Sequence, residues 1–402
     1  MLSVAEADKS IIQNIPEIGT ITLGYQDVIG KVLKEPLVAD RDYPPFDRVT
    51  MDGIALNFKS FNQGLRSWHV EKITRAGEAQ STLQDQNNCM EVMTGGVLPE
   101  GCDTVIRYED VIIKDNNAQL DPQALVKQGQ NIHKMAEDYK HGELLLEKDV
   151  AINAAHVAVL TSIGKAQVKV AQSPKITVLS TGDELVEVEQ TPQAYQIRRS
   201  NVHTVVAALS DHGFSKVKTE HIIDDKSAIY NKLEAILKDT DVLILSGGVS
   251  MGKFDYIPEI LADLKVKKVF HKIKQRPGKP MWFGVTDTKK MVFGLPGNPT
   301  STLLSLYRYV IPALKKQQGP NIEPKKYARL TKDFSFKKEL TYFLPVSLTY
   351  DEQGVTQATP IKTNGSGDFI SITQAQGFIE LPASTIDFKK GESFPLYLWR
   401  DL

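Results

Sequence analysis

Cysteine is scarce in this chain: Cys89 and Cys102 are the only two in 402 residues. Two cysteines make neither a disulfide framework nor a metal-binding spacing, which points to a reducing compartment. Net charge is also missing. Lys and Arg number 48 against 49 Asp and Glu, a balance of -1, so no overall field draws the chain to nucleic acid or to an anionic membrane. Any charged ligand must be held by a local cluster. No apolar run approaches the roughly 20 residues of a membrane span. Glu6 and Asp8 interrupt the first apolar stretch, which argues against a secretory signal. There is no internal repeat and no low-complexity tract. No Ser/His/Asp arrangement or nucleophile elbow stands out, and His133 and His271 have no partner at metal-ligand spacing. With 41% hydrophobic and 24% charged residues, the expectation is a soluble, cytoplasmic protein of several domains.

What is present is organised in blocks. Residues 1–43 read as helical, with Ser3 as a cap and Val4, Ala7, Ile11, Ile12 and Ile15 near helical spacing, and with a second helical stretch from Thr20 to Leu33. Tyr43-Pro-Pro-Phe46 breaks the pattern. Residues 44–138 show short apolar runs separated by turns such as Thr94-Gly-Gly96, the rhythm of a β-rich domain. Residues 139–172 carry Ile152, Ala155, Val159 and Leu160, which read as one helix returning to the first segment, so the β-rich block is an insertion in a helical base. Residues 173–320 alternate strands (175–180, 216–222, 241–246, 267–273, 291–295) with helices (201–210, 226–238, 256–264, 300–317), the pattern of a doubly wound, mostly parallel sheet. Residues 321–402 read as a small barrel-like β domain.

Three glycine-bearing βα turns follow apolar runs in the central block: Ser180-Thr-Gly-Asp-Glu184, Ser246-Gly-Gly-Val-Ser250 and Gly294-Leu-Pro-Gly-Asn-Pro299. In an open parallel sheet they sit at the carboxyl ends of strands, where ligands bind. The last opens a helix at Thr300-Ser301, whose unpaired N–H groups suit an oxyanion. Its plainer reading is a strand-to-helix turn capped by Asn298 or Thr300. Lys272, Lys274 and Arg276 alternate, so on an extended chain they share a side. That row reads either as an oxyanion receptor or as a solvated edge strand. Lys279, between Gly278 and Pro280, has a preset backbone. Among the acids, Glu184 and Asp255 are candidate ligands of Mg²⁺, while Asp183 and Asp225 read as helix caps and Asp224 follows a strand. Asp52-Gly53 reads locally as a hairpin turn, and Asp52, Thr94 and Asp138 gain no role from local pattern alone.

Taken in order, Met51-Asp-Gly53, Thr94-Gly-Gly96, Ser180-Thr-Gly-Asp-Glu184, Ser246-Gly-Gly-Val-Ser250, Pro277-Gly-Lys-Pro280 and Gly294-Leu-Pro-Gly-Asn-Pro299 resemble the molybdopterin molybdenumtransferases, the bacterial MoeA and animal gephyrin E-domain family. The likeness spans nearly the whole chain and includes Gly365 to Pro382 in the C-terminal block. It implies conversion of adenylylated molybdopterin and molybdate, with a divalent cation, to molybdenum cofactor and AMP. It also implies a homodimer with intersubunit active sites and an upstream molybdopterin adenylyltransferase. The positions matching functional residues of the family are Asp52, Thr94, Asp138, Glu184, Asp224, Asp255, Lys272, Arg276, Lys279, Pro296, Pro299 and Ser301, with Gly247, Gly248, Ser250, Gly297 and Asn298 in the substrate-binding turns. The metal ligands expected on this likeness are Asp255, Glu184 and Asp52, the last from the second subunit. Arg276 stands where the family often has lysine, and His133 where it often has arginine. Two other readings are an adenylyltransferase of the related type and a non-catalytic interaction scaffold.

Overall fold

The computed structural model describes residues 1–249, 256–320 and 324–399. Ser3 begins the first helix, Val4–Ile12, through a capping box: its hydroxyl accepts the Glu6 N–H at 3.2 Å and the Glu6 carboxylate accepts the Ser3 N–H at 2.7 Å. Val4, Ala7 and Ile11 bury against the core of the central sheet.

The helical base is overturned. Thr20 to Leu33 is not a helix: Thr20–Gly24 is a strand paired antiparallel with Gln167–Ala171. Gly19, Gly24 and Gly30 punctuate the segment, and its β-branched Thr20, Ile21 and Thr22 favour a pleated edge over a helix. In the returning segment only Ala154–Ser162 is helical, capped by Asn153. Leu144–Leu146 pairs instead with Leu37–Val38. Val28, Leu33, Leu37, Ile152, Leu160, Val168 and Val170 fill the shared core. The base is a mixed unit of short strands and one such helix.

The inserted segment is β-rich as expected. Its six-stranded sheet runs Thr104–Arg107, Gly53–Leu56, Cys89–Val92, Ser67–Thr74, Asn117–Leu120, Val111–Lys114. Gly53–Leu56 is buried throughout, with Ile54 and Leu56 in one core and Ala55 in the other.

The central sheet has the order Val217–Ile222, Ile176–Thr181, Val242–Ser246, Met291–Leu295, Trp282–Val285, Lys267–His271. The first four are parallel. Trp282–Val285 was not foreseen and runs antiparallel to both neighbours, making the sheet mixed. Ile176–Thr181, Val242–Ser246 and Met291–Leu295 are buried along their whole length, as strands covered on both faces must be. The chain leaves Ile176–Thr181 toward one edge and crosses to its other side at Val242–Ser246, so the order reverses between the first two glycine turns.

In the C-terminal segment, Thr341–Tyr350, Thr356–Pro360, Lys326–Leu330, Ser393–Leu398 and Gly377–Leu381 pair in that order, and Gly377–Leu381 pairs back to Thr341–Tyr350, closing a partial barrel. Gln275–Arg276, from the central segment, adds to it as a parallel edge strand beside Thr341 and Tyr342.

Candidate functional site

The three glycine turns converge. Gly247 and Gly248 take positive φ values of 94° and 67°, and a Cβ on Gly248 would lie 2.6 Å from Ile257 Cδ1 and 2.8 Å from Thr181 Oγ1. Only glycine fits there. Gly247 N–H donates to Leu295 C=O at 3.2 Å, and a Cβ on Gly297 would lie 3.8 Å from Gly247 Cα. Ser250 and Asp255 lie outside the described residues.

The first turn is held from below by a buried cation that sequence reasoning missed. Arg199 is 8% exposed. Its Nε donates to Ser180 Oγ at 3.2 Å, and its guanidinium also reaches Glu187. Ser180 Oγ also meets His221 Nδ1 at 3.0 Å. Burial, and then the Arg199 charge, hold His221 below its ordinary pKa. The Arg198-Arg199 pair was the available signal, but nothing local said that one of the two turns inward. Asp183 is not a helix cap: its carboxylate accepts the Asp224 N–H at 3.1 Å and ties two rim turns together. Asp225 does cap, accepting Ala228 N–H at 2.7 Å at the start of Lys226–Asp239. Glu184 is exposed on this rim, its carboxylate folded back over Gly182.

Gly294 to Pro299 is more than a strand-to-helix turn. Asn298 holds the N-cap position of Pro299–Ser305 but makes no side-chain cap bond. Its amide donates instead to Ser366 Oγ at 2.8 Å, in the C-terminal segment. Thr300 N–H donates to Ser366 C=O at 3.2 Å, and Asn201 Nδ2 to Gly297 C=O at 2.7 Å. Thr302 Oγ1 bonds Pro296 C=O within the loop. Asp368, beyond Ser366, accepts the Asn364 and Ser371 N–H groups, which draw its carboxyl down to about 2 and fix that turn.

Between the loop and the partial barrel lies a cleft of about 410 Å³, lined by Arg276, Lys279, Pro296, Asn298 and Ser301 from the central segment and by Lys338, Tyr342 and Ser366 from the C-terminal one. Three cations, three hydroxyls and an amide around one hollow suit an oxyanion. Lys338 and Ser366 were not foreseen, because they lie far along the chain, in a segment that the pairing of Gln275–Arg276 with Thr341–Tyr342 and the Asn298 and Thr300 bonds to Ser366 join to the cleft. Lys279 has the expected preset backbone: Gly278 takes φ 83°, Met281 N–H returns to Gly278 C=O at 3.3 Å, and Ile273 N–H donates to Lys279 C=O at 2.9 Å. The one-sided row of three cations is corrected. Lys272 takes a left-handed φ of 76° where the strand ends, so the chain is not extended through it, and it does not line this cleft. Lys274 and Arg276 keep the alternation, with Gln275 buried between them and Ile273 buried before them.

Asp52 and Thr94 sit in the inserted segment, where Asp52 Oδ1 accepts the Thr94 N–H at 2.6 Å. That bond holds the exposed Asp52 carboxyl below its usual range. Asp52-Gly53 is not a hairpin turn, since Arg48–Val49 pairs with Ile132–His133 and Gly53–Leu56 with two other strands. Asp138 Oδ1 meets His133 Nε2 at 3.1 Å, and His133 Nδ1 meets Arg48 at 3.0 Å. Among the described residues, no three His, Cys, Asp or Glu side chains come together to hold a metal ion. Cys89 and Cys102 are buried, and their thiols are pushed up to about 12, mainly by that burial, which leaves both unreactive near neutral pH. No helix among the described residues is long and apolar enough to cross a membrane.

Known proteins match this geometry along its whole length. Residues 2–164 match the MoeA N-terminal region (domain I and II), 177–316 a probable molybdopterin binding domain, and 327–399 the MoeA C-terminal region (domain IV). A molybdopterin molybdenumtransferase of Synechocystis sp. is 43% identical over 400 residues, covering 99% of this chain and 100% of the relative. The chain belongs to the molybdopterin molybdenumtransferase family. A second such protein, from Staphylococcus epidermidis, is 32% identical over 97% of the chain and 94% of its own length. Two solved structures of MoeA proteins from Pyrococcus horikoshii, 28% and 27% identical, superimpose with TM-scores of 0.84 and 0.82, covering 100% and 99% of this chain and 100% of each of theirs. Membership makes the chain a transferase of molybdenum cofactor biosynthesis and gives it a multidomain fold with mixed sheets and a partial barrel.

Proposed function

We propose that the chain joins molybdate to adenylylated molybdopterin and releases AMP, the last step of molybdenum cofactor formation. The single observation that carries this is the cleft where Arg276, Lys279 and Lys338 face Ser301 and the Pro296–Asn298 loop, in a chain 43% identical over its full length to a molybdenumtransferase. Molybdate, a tetrahedral dianion, needs converging cations and hydroxyl donors. Arg276 and Lys279 attract it, Ser301 donates to it, and the stiff loop holds it near the pterin sulfurs. The pterin and its phosphates lie along the rim of Gly247, Gly248 and Gly297, where glycine lets backbone N–H groups approach.

Asp52, Thr94 and Asp138 act from the second subunit of a homodimer, completing a site whose other half is Glu184, Asp224 and the cations. A divalent cation, Mg²⁺, supplies positive charge to the phosphoanhydride when bound. Carboxylates are the right donors for so hard an ion. Glu184 and Asp255 of one chain with Asp52 of the other would hold it. The same reading divides the chain into 1–43 with 139–172, 44–138, 173–320 and 321–402, places it in the cytoplasm, and takes substrate from an upstream adenylyltransferase. An adenylyltransferase or a scaffold is not favoured: the former has no use for the matched residues 2–164.

The test is AMP release from adenylylated molybdopterin supplied with molybdate and Mg²⁺. Lys279→Ala raises the KM for molybdate about 10- to 100-fold, the roughly 1.5–3 kcal/mol of a charged hydrogen bond. Asp255→Asn and removal of divalent ions by EDTA abolish turnover. Full activity in Asp255→Asn removes that residue from the mechanism, and net adenylylation of metal-free molybdopterin by ATP removes the proposed reaction.

A further inference from the structure

Beneath the cleft lies a polar arrangement that the reaction itself does not use. Gln275 stands in the wall of the hollow with its neighbour Arg276 and nearby Lys279, yet it has no exposed surface. Its side-chain amide is engaged at both ends. Oε1 accepts the Tyr309 hydroxyl, and Nε2 donates to Pro277 C=O at 3.1 Å. The same Nε2 would lie 2.8 Å from a Cβ on Gly278, so the amide fills the space under the turn that carries Lys279. Tyr309 reaches it because Leu306–Val310 forms a π-turn within the long helix that starts at Pro299. The wider turn turns two successive side chains inward, leaving Arg308 9% and Tyr309 2% exposed. Arg308 then grips Asp8 through two bonds of 2.7 and 2.6 Å, which fixes the π-turn against the first helix.

We propose that Gln275 is a positioning residue: its buried amide, clamped between Tyr309 and the Pro277 carbonyl, sets the spacing of Arg276 and Lys279 at which they grip an oxyanion. The inference rests on the reading that these two cations bind molybdate. Gln275 does not touch the anion. It acts through the turn, because a buried carbonyl or hydroxyl left without its partner costs enough to move a short loop. Leucine at this position keeps the volume and leaves both partners unpaired. The Arg276 and Lys279 side chains then lose their common aim while the rest of the fold stands.

Calorimetric titration of the full-length protein with molybdate tests this. We expect Lys279→Ala and Gln275→Leu each to weaken binding at least tenfold, and Tyr309→Phe to weaken it by a smaller factor. In a Lys279→Ala background, Gln275→Leu should weaken binding by a smaller factor than it does alone, since the part of its effect that passes through Lys279 is already lost. A lower melting temperature for Gln275→Leu with unchanged molybdate affinity overturns the inference and leaves the proposed function standing. An equal further loss in the Lys279→Ala background overturns it too. If Gln275→Leu does not fold, Tyr309→Phe decides by the same two readings. Absence of molybdate binding by the wild-type protein overturns the proposed function, and this inference with it.

Discussion

Replacing Gly53 with alanine separates the physical demands of the inserted sheet from those of chemistry. Gly53 opens a strand paired on both sides, opposite Val92 and Arg107. A Cβ there would lie 1.9 Å from Ile106 C=O and 2.8 Å from Arg107 Cα, with φ at 159°. Both obstacles are backbone, so no side chain can swing away, and relief requires prising Gly53 from Thr104–Arg107. Overpacking of this kind costs about 1–3 kcal/mol. A ladder hydrogen bond lost in the process adds about 1 kcal/mol, and an unpaired buried group adds more. The total, roughly 3–5 kcal/mol, is in the range reserved for severe substitutions. The damage also reaches the site, because Asp52 precedes Gly53 and its carboxylate holds the Thr94 N–H at 2.6 Å. Thermal unfolding, together with hydrogen exchange resolved to peptides spanning 89–107, measures both effects. For a unit of about a hundred residues, that cost lowers its transition by 10 °C or more, and the Thr94 amide exchanges faster. An unchanged transition with a protected Thr94 amide would refute the argument that the close backbone approach requires glycine here.

Arg199→Ala leaves Glu187 and Ser180 without their partner under the first glycine turn. Breaking a buried pair costs about 3–5 kcal/mol, reduced here to about 2–3 kcal/mol because Glu187 is half exposed. Urea titration checks it, and Arg199→Lys should fail to restore stability, since an ammonium does not present the fork that reaches Ser180 and Glu187 together. His221 supplies a pH test. Its folded pKa lies below the ordinary 6.5, so the unfolded chain binds more protons as pH falls through 6.5. Stability is therefore lost progressively below pH 6.5, until the folded form is protonated as well. The urea midpoint measured from pH 7.5 down to pH 5 should decline, and His221→Asn should flatten that decline. An equal slope in the variant would show that other groups govern it.

Legibility followed burial. Ile176–Thr181, Val242–Ser246 and Met291–Leu295 were plain as apolar runs because both faces of those strands are covered. Trp282–Val285 was hidden because a strand of four residues, set between Pro277-Gly-Lys-Pro280 and Thr286, is too short to present a pattern of its own. Thr20 to Leu33 was misread for the opposite reason: scattered apolar residues satisfy a helical template loosely, and the glycines at 19, 24 and 30 were the better guide. Near the site, the glycine and proline turns announced themselves, since each meets a steric demand visible locally. Lys338, Ser366 and Arg199 did not, because their roles exist only after distant strands pair.

Asn298 shows why local rules stop short at this cleft. By position it should cap the helix that begins at Pro299, a bond commonly worth about 1 kcal/mol. The fold gives that amide to Ser366 instead, and Thr300 N–H follows it to the Ser366 carbonyl. The helix start and the C-terminal turn are thereby joined through hydrogen bonds that each could have satisfied nearer home. Parallel addition of Gln275–Arg276 to Thr341–Tyr342 makes a second join on the other side of the same hollow. Two such joins flank the hollow where three cations meet, and so hold mutually repelling charges in a fixed frame. The cost of gathering those charges is met in folding, which leaves the attraction for an arriving dianion undiminished.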